Sequence, residues 1–235
     1  MAEGSVTVGE LVDWARRFAG LVTAQRSHLT ELDAAIGDGD HGTNMDRGLR
    51  VVCEKLDAGP PATAGEVFKL VGTTLVSNVG GASGPLYGTF FLRLGALCGA
   101  GEAVSAPALA AALRAGVEGV VARGRAEPGD KTMLDSLQPA VEVFETAVAG
   151  GQPLAVAFGR ARDAAVAGRD ATIGMVAHKG RASYLGERSL GHQDAGATSA
   201  TLLFEAAALV FGAQPGEGRP AEGVGGRGRV KSVDR

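Results

Sequence analysis

The sequence predicts an all-α fold, because helical periodicity and helix-capping pairs are frequent and strand patterns are not. Apolar residues over 11–22 recur at i, i+3 and i+4, the spacing that places them on one face of a helix. Thr7 with Glu10, and Thr63 with Glu66, are spaced as capping boxes and therefore predict two helix starts. Convincing period-two runs and Asn-Gly hairpin turns are missing, and alanine-rich helix formers fill the chain between these points.

Eight helices follow from this pattern, taken in order along the chain. The first begins after Thr7 and runs to about Leu32, and another begins after Thr63 and continues the i, i+3, i+4 pattern through Val76. No period of about 20 to 50 residues recurs, so a solenoid is not indicated. The other six helices are expected at 44–57, 85–99, 106–123, 132–149, 153–170 and 197–211.

Length and composition predict one domain followed by a tail. A chain of 235 residues that is 45% hydrophobic can bury one good core, and we assign this domain to 1–212. From there the composition turns to Gly, Pro, Arg and Glu without apolar periodicity. Such a segment cannot offset the entropy of ordering its backbone, so we expect 213–235 to be a disordered tail.

Charge and cysteine usage exclude several classes of function. A net charge of −3 provides no basic face, which argues against nucleic acid and anionic membranes as partners. Cys53 and Cys98 have no CxxC or Cys/His spacing and are expected to be buried thiols in a reducing cytoplasm. The N-terminus shows no secretory signal pattern. The uncharged stretch 70–92 is interrupted by the loop-forming 78–85, which predicts two helices rather than a membrane span.

The most informative feature is a group of three aspartates at the end of the first predicted helix. Asp33, Asp38 and Asp40 fall within eight positions on a glycine-bent turn. Short carboxylates in this arrangement suit Mg²⁺, which prefers oxygen ligands, and a nucleotide phosphate can complete the coordination. Three carboxylates can also serve two ions. The sequence therefore predicts a magnesium site.

Two alternatives compete for these aspartates. An EF-hand counted from Asp38 would place Leu49 at position twelve, where a bidentate glutamate is required, so that alternative fails. The other is a solvated helix C-terminal turn, since Gly and Asp are common turn residues. The flanking glycines and the adjacent His41-Gly-x-Asn segment favour the metal site.

Two glycine-rich segments are candidates for phosphate binding, and only the first remains one after its sequence is compared with known motifs. The segment 80–85 leads directly into a predicted helix, so it is either a phosphate cradle or a close-packing device. The segment 124–132 resembles a Walker A loop, but Asp130 is inserted before Lys131 and no strand precedes it. We therefore reject a P-loop and expect Asp130 to cap the next helix.

A long polar connection, 180–198, separates the last two predicted helices. Irregular connections of this length are more often functional lids than idle loops. Arg181 or Arg188 could hold phosphate oxygens in a bidentate fork, and either could equally be a solvated surface residue.

Together, the segments 32–44, 80–88, 129–135 and 180–198 closely resemble the L subunit of bacterial dihydroxyacetone kinase, its nucleotide-binding half. The resemblance covers about 1–211. It implies an eight-helix antiparallel up-and-down barrel with the nucleotide site at one end, in agreement with the helix count.

The resemblance also implies the site residues. Asp33, Asp38 and Asp40 would hold two Mg²⁺ ions. The residues that would bind ADP or ATP are His41, Gly42, Thr43, Asn44, Ala82, Ser83, Gly124, Met133, Arg181, Asp194, Ala195 and Gly196.

The implied function is phosphoryl transfer to dihydroxyacetone or another short ketose. The ketose would be held by a separate K subunit, through a covalent link to a histidine of that subunit. This chain alone should therefore not catalyse the reaction. Family members differ in donor: in some, a phosphotransferase-system protein, the M subunit, rephosphorylates bound ADP, and others exchange ATP freely. The motifs leave open the donor, the ketose and whether the chain forms a homodimer.

Two rival functions remain to be tested. Isoprenoid synthases are also helical and magnesium-dependent, but they carry DDxxD patterns that this chain does not have. A lipid carrier or a regulatory partner that docks a transcription factor would use the same helical barrel without catalysis.

Overall fold

The computed structural model describes residues 4–212 and confirms the all-α prediction. The predicted tail, 213–235, lies outside the described residues. A short antiparallel ribbon pairs β1 (Ser5–Thr7) with β2 (Ala103–Ser105). The α-helices of the described part are α1 Val8–Ala24, α2 Arg26–Ile36, α3 His41–Ala58, α4 Ala64–Asn78, α5 Ser83–Cys98, α6 Ala106–Gly124, α7 Leu134–Ala149, α8 Leu154–Ala171 and α9 Ala195–Gly212.

Both predicted capping boxes are present. The Thr7 hydroxyl accepts a hydrogen bond from the Glu10 N–H at 3.2 Å, and Thr63 accepts from Glu66 at the same distance. The first helix, however, does not run unbroken to Leu32 as predicted. The chain breaks at Gln25, so α1 and α2 are two helices, and the described part has nine α-helices instead of eight.

The helices pack in a closed cycle. In the order α1, α3, α4, α5, α6, α7, α8, α9, each helix packs against the next, and α9 returns to α1. The bent pair α1–α2 acts as one element of this cycle, with α2 packed on α3 and α9. Successive elements alternate in direction, so α2, α4, α6 and α8 end, and α3, α5, α7 and α9 begin, at the same end of the cycle. We call this the site end.

Aromatic side chains fill the interior at the seam between the first and last helices. Trp14 lies within 6.2 Å, centroid to centroid, of the rings of Phe68, Phe158 and Phe211. Its indole N–H donates to the Leu203 carbonyl at 2.8 Å, which satisfies the polar atom of a ring that is only 2% exposed. Burial of these rings closes the cycle.

The β1–β2 ribbon was missed because three-residue strands are too short to show an alternating pattern. It lies away from the site end and ties the start of α1 to the start of α6, with the Ala106 N–H donating to Gly4 at 2.8 Å. Cys53 and Cys98 are free thiols but only half-buried, so the expectation of buried thiols was wrong. Both pack against the edge of the hydrophobic core, from α3 and α5.

One described helix, α9, is long and apolar enough to cross a membrane by composition. Most of its residues are buried, against α1, α7 and α8, as expected for a core helix of a packed protein.

Replacing Phe158 with Ala tests the aromatic seam. Phe158 is 0% exposed and its ring lies 4.4 Å from Phe144 and 4.7 Å from Phe211. We expect the free energy of unfolding in urea to fall by about 3–5 kcal/mol. The matched control Leu97→Ala, at a residue that is 55% exposed, should change it by about 0.5 kcal/mol or less. Equal losses in the two variants would contradict this account of the core.

Candidate functional site

A cavity of about 960 Å³ opens at the site end. Its walls come from the four connections that follow α2, α4, α6 and α8. Because α3, α5, α7 and α9 all begin here, the partial positive charges of four helix N-termini lie on the same side of the protein. The cavity is therefore suited to an anionic ligand.

Three carboxylates meet at one edge of the cavity. One oxygen each from Asp33, Asp38 and Asp40 lies within 4.8 Å of the other two. Asp33 Oδ2 accepts hydrogen bonds from the backbone N–H groups of Asp40 at 2.8 Å and His41 at 3.1 Å, which folds the turn back against α2. The turn also requires a left-handed residue, and Gly39 supplies it with φ +72°.

The donor set fits magnesium. Two oxygens on one Mg²⁺ ion lie at most about 4.2 Å apart, given Mg–O distances of about 2.0–2.1 Å. Small side-chain rotations would bring the three aspartates within that limit. Their partial exposure also leaves room for the waters and phosphate oxygens that Mg²⁺ keeps in its coordination shell.

Arg181 connects the opposite wall to these aspartates. Its Nη2 lies 2.9 Å from Asp38 Oδ2, and the arginine side chain remains 65% exposed. An exposed ion pair of this kind contributes at most about 1 kcal/mol, so Arg181 can exchange Asp38 for another anion at little cost.

His41 is buried at the first turn of α3 and belongs to a polar chain. Its Nδ1 lies 3.0 Å from Ser83 Oγ and its Nε2 lies 2.9 Å from Ser199 Oγ. Ser199 also meets the Tyr87 hydroxyl at 2.7 Å. Burial lowers the pKa of His41, and the nearby charges of Asp33 and Asp40 only partly oppose this effect. The imidazole is therefore a neutral link between α3, α5 and α9.

The start of α5 borders the cavity. It has no side-chain cap and no acidic residue in its first turn, and Gly80 to Ser83 line the cavity. Free N–H groups at a helix start bind anions readily. Gly81 adopts φ +65°, which turns the chain into this helix.

Asp194 lies at the start of α9. Its Oδ1 accepts the Ala197 N–H at 2.6 Å, as a helix cap does. Burial raises the pKa of Asp194 to about 7; the Ala197 hydrogen bond lowers it and the charge of Asp135 adds to the rise. This carboxyl is therefore poised to change protonation near neutral pH.

Lys131 belongs to the α6–α7 connection, and its side chain is fully buried against residues 172–192. We call residues 172–192 the lid. The Lys131 Nζ contacts four backbone carbonyl oxygens of the lid at 2.6–3.1 Å. The neighbouring Asp130 does not cap α7 as predicted: it accepts from the Glu127 N–H at 2.8 Å, and α7 begins only at Leu134. The lid also departs from a wholly irregular loop, because Arg181–Ser189 forms 3₁₀ turns.

The structure brings most of the predicted site residues together. Those that line the cavity are Asp33, Asp38, Asp40, His41, Ala82, Ser83, Gly124, Met133, Arg181, Asp194, Ala195 and Gly196. Gly42, Thr43 and Asn44 do not line it, so their assignment to the nucleotide stays a prediction. Gly42 packs against the Arg26 carbonyl of α2, and a side chain there would collide with it. Of the two candidate arginines, Arg181 faces the cavity.

Several cavity residues escaped the sequence analysis. Tyr87 lines the cavity and its partner Ser199 is buried beside it. Both lie within helices, where nothing in a single sequence separates them from core positions. Lys131 was seen only as part of a rejected P-loop, although a lysine in a loop of glycine and aspartate was a usable signal. Lys179 and Arg123 add positive charge to the walls.

Comparison with known proteins gives consistent results. The DAK2 domain model matches residues 35–209. The chain is 44% identical over 205 residues to the PEP-dependent dihydroxyacetone kinase, ADP-binding subunit DhaL, of Escherichia coli, which covers 87% of this chain and 98% of that protein. It is 35% identical over 210 residues to the triokinase/FMN cyclase of Mus musculus, covering 87% of this chain and 35% of that one.

Solved structures agree with this fold. The native dihydroxyacetone kinase of C. freundii superposes with a TM-score of 0.67 and 29% identity over 86% of this chain and 34% of that chain. Its complex with AMP-PNP and Mg²⁺ superposes with a TM-score of 0.65 and 28% identity, over 86% and 33%.

The raised pKa of Asp194 predicts a pH-dependent stability. Between about 3.8 and about 7, the folded chain keeps a proton that the unfolded chain has released. Stability from this group therefore falls as pH rises through that window and levels off above it. Asp194→Asn keeps an oxygen for the Ala197 N–H but does not titrate. We expect wild type to lose at least about 1 kcal/mol of unfolding free energy relative to this variant between about pH 4.5 and 8.

Urea unfolding at the two pH values measures this difference. Asp163→Asn is the matched control, because the Asp163 side chain is 67% exposed. Parallel pH profiles for wild type and Asp194→Asn would contradict the assignment.

Proposed function

Because the chain belongs to the DAK2 domain family and groups there with the L subunits of dihydroxyacetone kinase, we propose that it binds ADP or ATP with Mg²⁺ and phosphorylates a short ketose held on a K subunit. The observation that carries this proposal is the meeting of three carboxylates, an uncapped helix start and Arg181 around one cavity. An anionic ligand accompanied by a divalent cation satisfies all three features at once.

The phosphates are proposed to lie between the aspartates and the start of α5. The N–H groups of the first turn of α5 would donate to phosphate oxygens, and Arg181 would leave Asp38 to hold them from the lid side. The base is proposed to lie against the apolar wall formed by Leu86, Val120 and Met133.

The chain's own contribution to the reaction is positioning and charge compensation. Phosphoryl transfer needs little covalent help from the nucleotide side, so a fixed cradle of N–H donors is sufficient there. Magnesium, when bound by Asp33, Asp38 and Asp40, would supply charge neutralisation at the phosphates. Neutral His41 would keep Ser83 at the cradle through its Nδ1 contact without adding charge.

The similarity of the chain to bacterial L subunits favours bound ADP as a resident cofactor. The relatives at 38–44% identity are named as ADP-binding subunits of PEP- or PTS-dependent kinases. In this proposal, a phosphotransferase-system protein, the M subunit, rephosphorylates ADP on the L chain in the cytoplasm, and the K subunit presents the ketose. Free ATP exchange is the alternative donor route, supported by the AMP-PNP complex of the C. freundii kinase.

A lipid-carrier function would need space for an acyl chain between the helices. Near Trp14 and Phe91 the void among the core side chains has a volume of about 10 Å³, which is too small to hold an acyl chain at that place. A regulatory docking function is compatible with the same nucleotide site and would be recognised by nucleotide binding without phosphoryl transfer.

Replacing Asp40 with Asn tests the metal site. The Asp40 side chain makes no capping hydrogen bond to α3, so this change removes one charge and leaves the fold intact. We expect the affinity for ADP in Mg²⁺ to fall at least about tenfold, or about 1.4 kcal/mol, by isothermal titration calorimetry. Asp163→Asn should bind as wild type does. Unchanged Mg²⁺-dependent binding by Asp40→Asn would overturn the proposed site.

Native mass spectrometry of the purified chain tests the cofactor. We expect one ADP per chain with Mg²⁺ present, lost after chelation, because the carboxylates and the diphosphate repel each other without the cation. Rapidly exchanging ATP would instead indicate the ATP-dependent route. A chain that binds neither nucleotide at any magnesium concentration contradicts the proposal.

A further inference from the structure

Lys131 stands out as a buried cation that the proposed reaction does not use. It is 1% exposed, yet its ammonium makes no salt bridge within the described residues. Its backbone adopts φ +61°, a left-handed conformation that residues with a Cβ rarely take. Such strain persists where surrounding contacts determine it, and the ammonium of Lys131 makes four such contacts.

The four acceptors divide into two pairs at the base of the lid. Thr172 and Met175 belong to the leg that leaves α8, and their carbonyl oxygens lie 2.8 and 3.1 Å from Nζ. Ser189 and His192 belong to the leg that approaches α9, both at 2.6 Å. Hydrogen bonds from a charged donor are stronger than neutral ones, so one cation joins the two legs.

The lid between these legs carries the groups that face the cavity. Lys179, Arg181 and Tyr184 line it from the lid, and Arg181 reaches across to Asp38. Thr172, one of the residues held by Lys131, also contacts the start of α9, because the Asp194 N–H donates to Thr172 Oγ1 at 3.0 Å. Movement of the legs would therefore displace both Arg181 and the Asp194 turn.

We propose that Lys131 is a positioning residue that joins both legs of the lid through its ammonium and thereby sets Arg181 and the Asp194 turn at the nucleotide site. Without the cation, four carbonyl oxygens converge with no donor between them, and their mutual repulsion opens the base of the lid. Neutral hydrogen bonds remain at the base of the lid, from the Gly191 N–H to Ile173, from the Ala177 N–H to Ser189 and from the Asp194 N–H to Thr172. The His178 N–H also still donates to the Asp130 carbonyl, so the lid loosens without unfolding.

The first test needs no ligand and stands apart from the proposed function. In Lys131→Met, which preserves side-chain volume, we expect the amides of residues 176–188 to exchange with deuterium at least about tenfold faster than in wild type. Amide exchange in the helices of the closed cycle should be the same as in wild type. Lys69→Met, at an exposed lysine of α4, is the matched control. Unchanged lid exchange in Lys131→Met would overturn the inference.

The second test rests on the proposed function and measures coupling between the two residues. Arg181→Ala should weaken ADP binding in Mg²⁺ about tenfold in wild type but less than about twofold in the Lys131→Met background, where Arg181 is no longer held in place. Independent, multiplicative losses would show that Lys131 stabilises the fold without positioning Arg181. If wild type binds no ADP, the proposed function fails. The deuterium-exchange experiment still tests whether Lys131 holds the lid.

Chemical rescue tests whether the N–H donors of the ammonium are required, in addition to its charge. In Lys131→Ala, added n-propylammonium replaces the missing part of the side chain and should restore slow exchange of the lid, whereas tetramethylammonium, which has no N–H donor, should not. Equal effects of the two cations would contradict the role of the four carbonyl contacts.

A measurement on the wild type decides the matter if both variants fail to fold. The Lys131 ¹⁵Nζ protons should exchange with water more slowly than those of Lys69, because the Lys131 ammonium is held by four acceptors. Equally fast exchange would overturn the inference.

Discussion

The alternation of helix direction within a closed cycle is the constraint on which the site depends. Because α9 packs against α1, each helix of the described cycle has a neighbour on both sides, and every second connection lies at the same end. Segments as distant in sequence as Asp33 and Asp194 thereby line one cavity. The same alternation places four helix N-termini there, so the affinity for anions comes from the topology as well as from individual side chains.

The charges of the site are arranged in opposition across the cavity. The aspartate cluster provides a concentrated negative charge on the α2–α3 turn, while Lys179 and Arg181 provide positive charge on the lid. A ligand made of a cation and an anionic phosphate chain matches both walls simultaneously. Neither component alone does, because an isolated phosphate would meet the carboxylates and an isolated cation would meet the arginine.

Much of this architecture follows from the sequence. Helix starts at Thr7 and Thr63 were predictable because a capping box is a local interaction. The break at Gln25 was not, because no Gly or Pro marks it and α2 packs on α3 and α9, which are distant in sequence or follow it. Among site residues, the aspartates are visible as a dense local cluster. The contacts of Lys131 are not, because its acceptors are backbone carbonyls 41 to 61 positions away.

Asp33 differs from its two neighbours in a way that affects how an ion would be captured. Its Oδ2 is already held by two backbone N–H groups at the start of α3, so the carboxylate is oriented before any ligand arrives. Asp40 has no such anchor. Ion binding therefore orders only part of the cluster, and its entropic cost falls mainly on the flexible carboxylates. An ion bound here would therefore cost less entropy than one bound by three unanchored carboxylates.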